Sequence, residues 1–404
     1  MSNPKNNRPR CERCGGYKVK NGRRGKGGRQ RWLCKPCHIS STPRRTRHSR
    51  FFNAFILWLT EGASKAHVAT VLGVSRWTLT RVCEPYWFVR VPKEVDGSRC
   101  YDQLFMDGTY MLGGCLLLLT DNNGYVVNWH WCRSESTDSY RKLLEGIAAP
   151  LVATMDGNQG AISAVRQVWP TTRIQRCVLH VHRAVIRQTT RRPVLAGYKA
   201  LRGLAVALLK VNTPEEAAQW LTQLNDFHTQ FGSMLRHRSY VSDAKAAHIP
   251  VHARNNKNWW YTHYRLRRGY LLLENLATRG ELFSFLDPEL VGLAVGELSR
   301  TTNKVEGINA VVKDRIRAHR GLNAEQQRTL VDWLLLQRME NPPSPEEVAR
   351  AQGWGLPALE HARKTPLRRE GNQDVAITGS PSTELNNTYN VFTDGAHIRK
   401  GQMR

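Results

Sequence analysis

The sequence is short of acid. Against 60 lysines and arginines stand only 33 aspartates and glutamates, leaving a net charge of +27 over 404 residues and a pI near 10.2. Solubility does not require such an excess. It implies a polyanionic partner, either nucleic acid or an anionic membrane surface. Long apolar runs are missing too. No stretch approaches the ~20 residues of a spanning helix, so no membrane association is expected. The basic N-terminal residues have no apolar core behind them, and no secretory signal is expected. No glycine-rich phosphate loop points to nucleotide hydrolysis, and no internal repeat is present. A nucleic-acid-binding protein of a reducing compartment is left, long enough for two to four domains.

Cysteine is present in a pattern that fits this compartment. Four of the nine are grouped: Cys11 and Cys14 form one Cys-x-x-Cys, Cys34 and Cys37 another, with nineteen residues between the pairs. Each turn puts two thiolates on one side of an ion, and two such turns complete a tetrahedral zinc site. The basic, glycine-rich residues between them read as a ribbon, so one structural zinc is expected. His38 is an alternative ligand to Cys37. Cys83, Cys100, Cys115 and Cys132 lack such spacing and are expected in the core.

From Pro43 a basic connector leads into a helical pattern, "FFNAFILWLTEG". The next segment, "KAHVATVLGVSRWTLTRVC", fits a helix-turn-helix. Val68, Ala69 and Leu72 face inward, Gly73 supplies the turn, Val74 fills the corner and Ser75 caps the second helix. Leu79 and Val82 bury that helix, leaving Arg76, Trp77, Thr80 and Arg81 outward. That face suits the major groove of double-stranded DNA. A plain helical hairpin has the same pattern; the cysteine pairs and the charge favour DNA.

In the middle of the chain two apolar runs close on Asp-Gly, "QLFMDGTY" and "LVATMDGNQG". Taken singly, each is ordinary turn chemistry. The surrounding order is three strands joined by hairpins, the second through "DNNG". A helix, a fourth strand, a helix and a fifth strand leading into another helix follow. This is the order of a ribonuclease-H-like sheet, in which the first and fourth strands are neighbours. Asp107 is expected to end the first and Asp156 the fourth, with each glycine letting the chain turn away. Two adjacent carboxylates repel unless a cation lies between them, and their hard oxygens suit magnesium or manganese. A third carboxylate is offered by Glu306 in "RTTNKVEGINAVVKDRIRAHRG". There Asn309 shares its side of the helix, while Ile308, Val311, Val312 and Ile316 can pack inward. Arg315, Arg317 and Arg320 can hold phosphates. A glutamate near a helix start, taken alone, is a dipole or capping partner.

The three blocks "FMDGTY", "ATMDGNQGAISAVRQVWPTTRIQRCVLHVHR" and "TTNKVEGINAVVKDRIRAHRG" resemble the catalytic blocks of mutator-type bacterial insertion-sequence transposases. Those enzymes carry an Asp-Asp-Glu triad on a ribonuclease-H-like fold. The resemblance covers roughly residues 101–340 and includes a Cys-x-x-His pair, Cys177 and His180, between the second Asp and the Glu. It implies that Asp107, Asp156 and Glu306 carry the chemistry with two magnesium or manganese ions, and that Cys177 and His180 support the site. Two ligands do not close a zinc site, so packing and a hydrogen bond are expected of that pair.

Family members of this kind carry a helical insertion before the Glu. Here "NTPEEAAQWLTQLNDFHTQF" opens on a capping box, Thr213 with Glu216 and Pro214 at the first helical position. Trp220, Leu221, Leu224 and Phe227 form its apolar face. "RGYLLLENLATRGELFSFL" is expected as a second helix ending at "DPE". The aromatic and basic run "RNNKNWWYTHYRLRRGY" has the composition that stacks unpaired bases. Related transposases use a tryptophan near the cleaved end, and Trp259 and Trp260 are the candidates here. Packing between helices is the alternative.

The expected organisation is an α/β protein. Residues 1–45 form a zinc ribbon and 46–95 a helix-turn-helix. Residues 100–185 and 296–340 form a ribonuclease-H-like mixed sheet, interrupted by an all-α insertion at 186–295. A partly disordered tail occupies 341–404. The expected function is DNA transposition: binding of terminal inverted repeats, cleavage, and strand transfer into target DNA. The protein would act as a homo-oligomer, at least a dimer on DNA, in the bacterial cytoplasm at the nucleoid. The alternatives are a transcription regulator with an inactive centre and a related nuclease that cuts without joining.

Overall fold

The stretch around the cysteine pairs folds as a three-stranded antiparallel sheet of β1 (Val19–Arg24), β2 (Arg29–Cys34) and β3 (Ile39–Ser41), in that spatial order. The computed structural model describes residues 8–11, 13–24, 29–41, 48–243, 249–250 and 258–364. The tip of the "GRRGKGG" loop, most of the basic connector and the last ~30 residues, expected as disordered tail, lie outside them. The chain divides into two compact units.

In the first unit, α1 (His48–Glu61) buries Phe51, Phe52, Phe55 and Trp58. α2 (Lys65–Leu72) starts where the Ser64 side chain accepts from the His67 N–H, and it stops at Gly73, whose φ of +67° suits glycine. Ser75 then caps α3 (Arg76–Cys83) by accepting from the Thr78 N–H. Val68, Ala69, Leu72, Leu79 and Cys83 are buried, Val74 and Val82 half-buried, and Arg76, Trp77, Thr80 and Arg81 exposed. Residues 345–359, expected in the tail, belong to this unit. There Trp354 stacks on His48 with ring centroids 5.5 Å apart.

The second unit is built on a five-stranded mixed sheet of β4 (Gln103–Met111), β5 (Gly114–Asp121), β6 (Val126–Cys132), β7 (Val152–Met155) and β8 (Arg173–Arg176). Its order is β6-β5-β4-β7-β8. β4, β5 and β6 pair antiparallel through tight hairpins, whereas β7 pairs parallel with both β4 and β8. Parallel pairing needs crossovers. These are supplied by α4 (Thr137–Leu144) and α5 (Gln159–Val168). Both pack on one face, where Leu104, Met106, Leu117 and Leu119 meet Tyr140, Leu144, Val165 and Trp169. β8 leads into α6 (Val178–Thr189).

After α6 in the sequence comes a group of helices. α7 (Ala196–Leu208), α8 (Pro214–Arg236) and α9 (Tyr264–Thr278) share a core with α6 that includes Leu201, Trp220, Leu224, Phe227, Leu266 and Leu273. The Thr213–Glu216 capping box is present, with Pro214 in the first turn. Leu221 departs from expectation: it is 40% exposed, one position off the stripe of Trp220, Leu224 and Phe227. α9 also ends early, at Thr278, because Gly280 turns the chain with φ +67°. Asp287 then caps a separate short helix, α10 (Pro288–Leu293). A two-stranded ribbon, β9 (Arg238–Tyr240) and β10 (Trp259–Tyr261), adjoins α8 and α9 in sequence.

α11 (Asn303–Ala318) packs against β4 and β5, and α12 (Ala324–Leu336) against β6. There Asp332 accepts hydrogen bonds from the indoles of Trp129, at 2.7 Å, and Trp131, at 2.9 Å. Ile308 and Val312 are buried in α11, whereas Val311 and Ile316 are only half-buried. Of the four cysteines expected in the core, Cys83 and Cys115 are buried and Cys132 half-buried, but Cys100 is exposed. It lies in the loop before β4, where no layer covers it. The last helices are α13 (Pro345–Ala351) and α14 (Leu356–Lys364).

Candidate active site

The two Asp-Gly pairs serve different ends. β4 does not stop at Asp107. It runs on to Met111, and Gly108 pairs with Leu117 of β5 inside the strand. What ends there is the parallel ladder, whose last pair is Met106 with Met155. Asp107 therefore sits in mid-strand, on the face opposite Leu104 and Met106 by the alternation of a strand. A β-carbon on Gly108 would overlap Glu135 Oε1, so glycine here makes room for a neighbour rather than a turn. Asp156 does follow the end of its strand. Gly157 turns the chain with φ +109°, and a β-carbon there would overlap the Arg176 guanidinium.

Each carboxylate is held. Asn309 Nδ2 donates to Asp107 Oδ2 at 2.7 Å. The Asn158 N–H donates to Asp156 Oδ1 at 2.9 Å, and Arg176 to the Asp156 carbonyl at 3.0 Å. Asn158 also caps α5, accepting from the N–H of Gly160 at 2.8 Å. Its Nδ2 donates to Glu135 Oε2 at 3.0 Å, and the Tyr140 hydroxyl donates to Glu135 Oε1 at 3.1 Å.

Glu135 is the residue that sequence reading missed. It stands just ahead of Ser136, the cap of α4, where an acidic side chain reads as a helix-dipole partner. The signal that pointed to it is Gly108, a glycine inside a strand, which marks a close approach. Burial, reinforced by the charge of Asp156, pushes Asp107 up to about 6 and Glu135 up to about 8. Both shifts have the sign that burial and neighbouring carboxylates give.

Glu306 lies in the first turn of α11, where its Oε1 accepts from the Thr302 hydroxyl at 2.8 Å. That bond is local, of the kind a helix start provides. The tertiary contact is His180, whose Nδ1 lies 3.8 Å from the same oxygen. One turn further along α11, Asn309 reaches Asp107, so this helix face touches both β4 and α6. Glu306, Asp156 and His180 all act electrostatically on Asp107. Cys177 is buried at the start of α6 and accepts from the N–H and hydroxyl of Thr302 at 3.4 and 3.3 Å. Burial disfavours its thiolate, yet His180 and Thr302 outweigh that and bring the thiol below its ordinary range.

A cavity of about 410 Å³ opens beside Asp156, lined by Arg176, Arg268, Arg279 and Asn275 among others, with an apolar wall from α6 and α9. On α11, Arg315 is half-buried, and Arg317 and, just beyond the helix, Arg320 are exposed. In the ribbon, Trp259 and Trp260 are half-buried on successive positions of β10, so they point to opposite faces. Arg238 lies over the Trp259 ring at 4.0 Å, and Trp259 meets Tyr261 edge-on at 5.1 Å.

In the first unit, the sulfurs of Cys11, Cys14, Cys34 and Cys37 lie within 4.8 Å of one another, and Cys14 and Cys34 approach to 3.5 Å. Four thiolates around a zinc ion with ~2.3 Å bonds stand at comparable separations, so the group can hold one structural zinc. The Cys14 and Arg13 backbone holds Cys11 down at about 6, whereas the Cys14 sulfur pushes Cys37 up to about 12. On α3, Trp77 is 68% exposed with Arg81 over its ring at 4.7 Å. No helix among the described residues is long and apolar enough to cross a membrane. Compared with protein families and with curated proteins, the chain matches none.

Proposed function

We propose that the protein is a DNA transposase of the Asp-Asp-Glu type, with a ribonuclease-H-like catalytic domain. One observation carries the reading: Asp107 and Asp156 follow the same rung of a parallel strand pair, with Glu306 brought toward them by α11. The strand order, with the first and fourth strands adjacent, supports the same domain type. In this reading the cysteine sheet is a zinc ribbon and α2–α3 a helix-turn-helix. Arg76, Trp77, Thr80 and Arg81 face the major groove of the element ends.

Asp107, Asp156 and Glu306 offer hard oxygens, so the donor set fits divalent cations. Burial with the charge of Asp156 disfavours the ionised form of Asp107, a cost that a bound cation would offset. Two magnesium or manganese ions, when bound there, supply the charge that steadies the attacking and leaving oxygens of an in-line phosphoryl transfer. The remaining work belongs to the chain. Asn309 and the Asn158 N–H fix the rotamers of the two aspartates. Arg268 and Arg279 line the cavity next to Asp156, where backbone phosphates need cations. Arg315 and Arg317 in the last turn of α11, and Arg320 just beyond it, are further cations for backbone phosphates. Trp259 or Trp260 stacks on a base displaced at the cut end. Water hydrolyses the phosphodiester at the element end, and the freed 3′-hydroxyl then attacks a phosphodiester of target DNA, whose own 3′-oxygen leaves as the new ester forms. The acting species is at least a dimer.

The test is incubation with intact and pre-cut element ends, a plasmid target and magnesium. Joined products support the reading. Cleavage of intact ends without joining identifies a nuclease. Specific binding without either identifies a regulator.

A further inference from the structure

Beside the carboxylates stands a group of softer donors. Cys177 stands at the start of α6 and His180 follows one turn later, while Glu306 comes from α11. One ligand atom from each lies within 4.8 Å of the other two. His180 Nδ1 is 3.8 Å from Glu306 Oε1 and is buried without a hydrogen-bond partner. Packing accounts for Cys177, which Thr302 satisfies; His180 and Cys177 act on one another electrostatically, yet no group stands in hydrogen-bond geometry to that nitrogen. A buried ring nitrogen aimed at a thiol and a carboxylate has the surroundings of a metal ligand.

We propose that Cys177, His180 and Glu306 form a second transition-metal site, selective for zinc-class ions over magnesium, that shares Glu306 with the carboxylate group. Thiolate, imidazole and carboxylate are all zinc ligands, and three protein ligands leave a fourth position open. Zinc bonds of ~2.0–2.3 Å place tetrahedral ligand atoms roughly 3.3–3.8 Å apart, so the group closes only slightly on the ion. Magnesium is a poor match, because it prefers oxygen and rejects thiolate. Binding releases the Cys177 proton and takes neutral His180 at Nδ1. Glu306 is partly exposed, which leaves the ion a way in. A consequence, resting on the function proposed above, is inhibition. An ion held here competes for Glu306, so zinc opposes the magnesium-dependent reaction.

The probe is cobalt(II), added to the full-length, metal-stripped chain, with thiolate-to-cobalt charge-transfer absorbance as readout. Wild type is expected to take two equivalents, one at the four-cysteine group and one here. Cys34→Ser with Cys37→Ser is expected to keep one equivalent, displaced by zinc but not by a large excess of magnesium. Adding His180→Gln or Cys177→Ala to that variant is expected to abolish it. Two variants at separate ligands keep the test valid if one fails to fold. A single equivalent in wild type and none in the double-serine variant overturns the site. The binding is measured without DNA. Failure of strand transfer with magnesium after the cobalt has been chelated away would count against the transposase reading and not against the site.

Discussion

Asp107 and Asp156 each stand one residue beyond the Met106–Met155 pair that closes the parallel ladder. Their carboxylates therefore leave neighbouring strands at the same level, and Asp156 contributes to the raised pKa of Asp107.

Asp107→Asn and Asp156→Asn are expected to abolish cleavage and joining while leaving binding of element ends nearly intact. Asparagine keeps the shape, loses the charge that retains a cation, and eases the repulsion between the pair. Cleavage by either variant at the wild-type rate with magnesium would refute the site.

The same crowding predicts a pH dependence in magnesium-free buffer. Unfolded, Asp107 and Glu135 ionise near their ordinary values of 3.8 and 4.5; folded, they hold protons up to about 6 and about 8. Their contribution to stability is complete below the unfolded values. It is lost as pH rises, through about 6 for Asp107 and about 8 for Glu135. Each contributes on the order of a few kcal/mol across its window. Melting temperature should thus fall from pH 5 to pH 8, and Asp107→Asn or Glu135→Gln should each flatten the slope. Variants with the wild-type slope would show that these groups do not titrate as described.

Gly108→Ala should destabilise the second unit by roughly 1–3 kcal/mol, the usual cost of overpacking, because its methyl overlaps Glu135 Oε1. Glu135→Ala removes the obstacle, so the double variant should recover part of the loss. Denaturant titration of the single and double variants measures the coupling. Strictly additive losses would mean that Gly108 and Glu135 do not share this space.

Cys34→Ser should release the zinc of the four-cysteine group and lose sequence-specific DNA binding without unfolding the five-stranded sheet. Metal analysis of the purified chain checks the first part. Absence of zinc from the wild type would remove the claim.

Alanine at Trp259 or Trp260 should slow cleavage of fully paired ends by the worth of one stacked base, about 1–3 kcal/mol. The loss should shrink on ends already mismatched, which need less help to unstack. Since the two rings point to opposite faces of β10, only one variant should show this pattern. Equal losses on both substrates with a lowered melting temperature would leave only packing.

Much of this protein could be read from short windows of its sequence. The Cys-x-x-Cys pairs, the Gly73 turn with its Ser75 cap, the Thr213–Glu216 box and the hairpin at "DNNG" are decided by residues within a few positions of one another. Local steric and hydrogen-bonding rules suffice there. Asp107 and Asp156 stood out for the same reason, because an apolar run closing on a carboxylate is visible locally. Packing between distant segments decided the rest. Gly108 looked like a turn and proved to be a seat for Glu135, 27 residues away. Asn309 reaches Asp107 across 202 positions, and Thr302 joins Cys177 to the start of α11 across 125. Leu221 and Cys100 are exposed because no layer passes over them, and Gly280 ends α9 where apolar spacing alone continued it. Periodicity specifies which face of an element is apolar. What that face meets, and which polar groups are brought together beside it, depends on strand order and helix placement, which no single window contains.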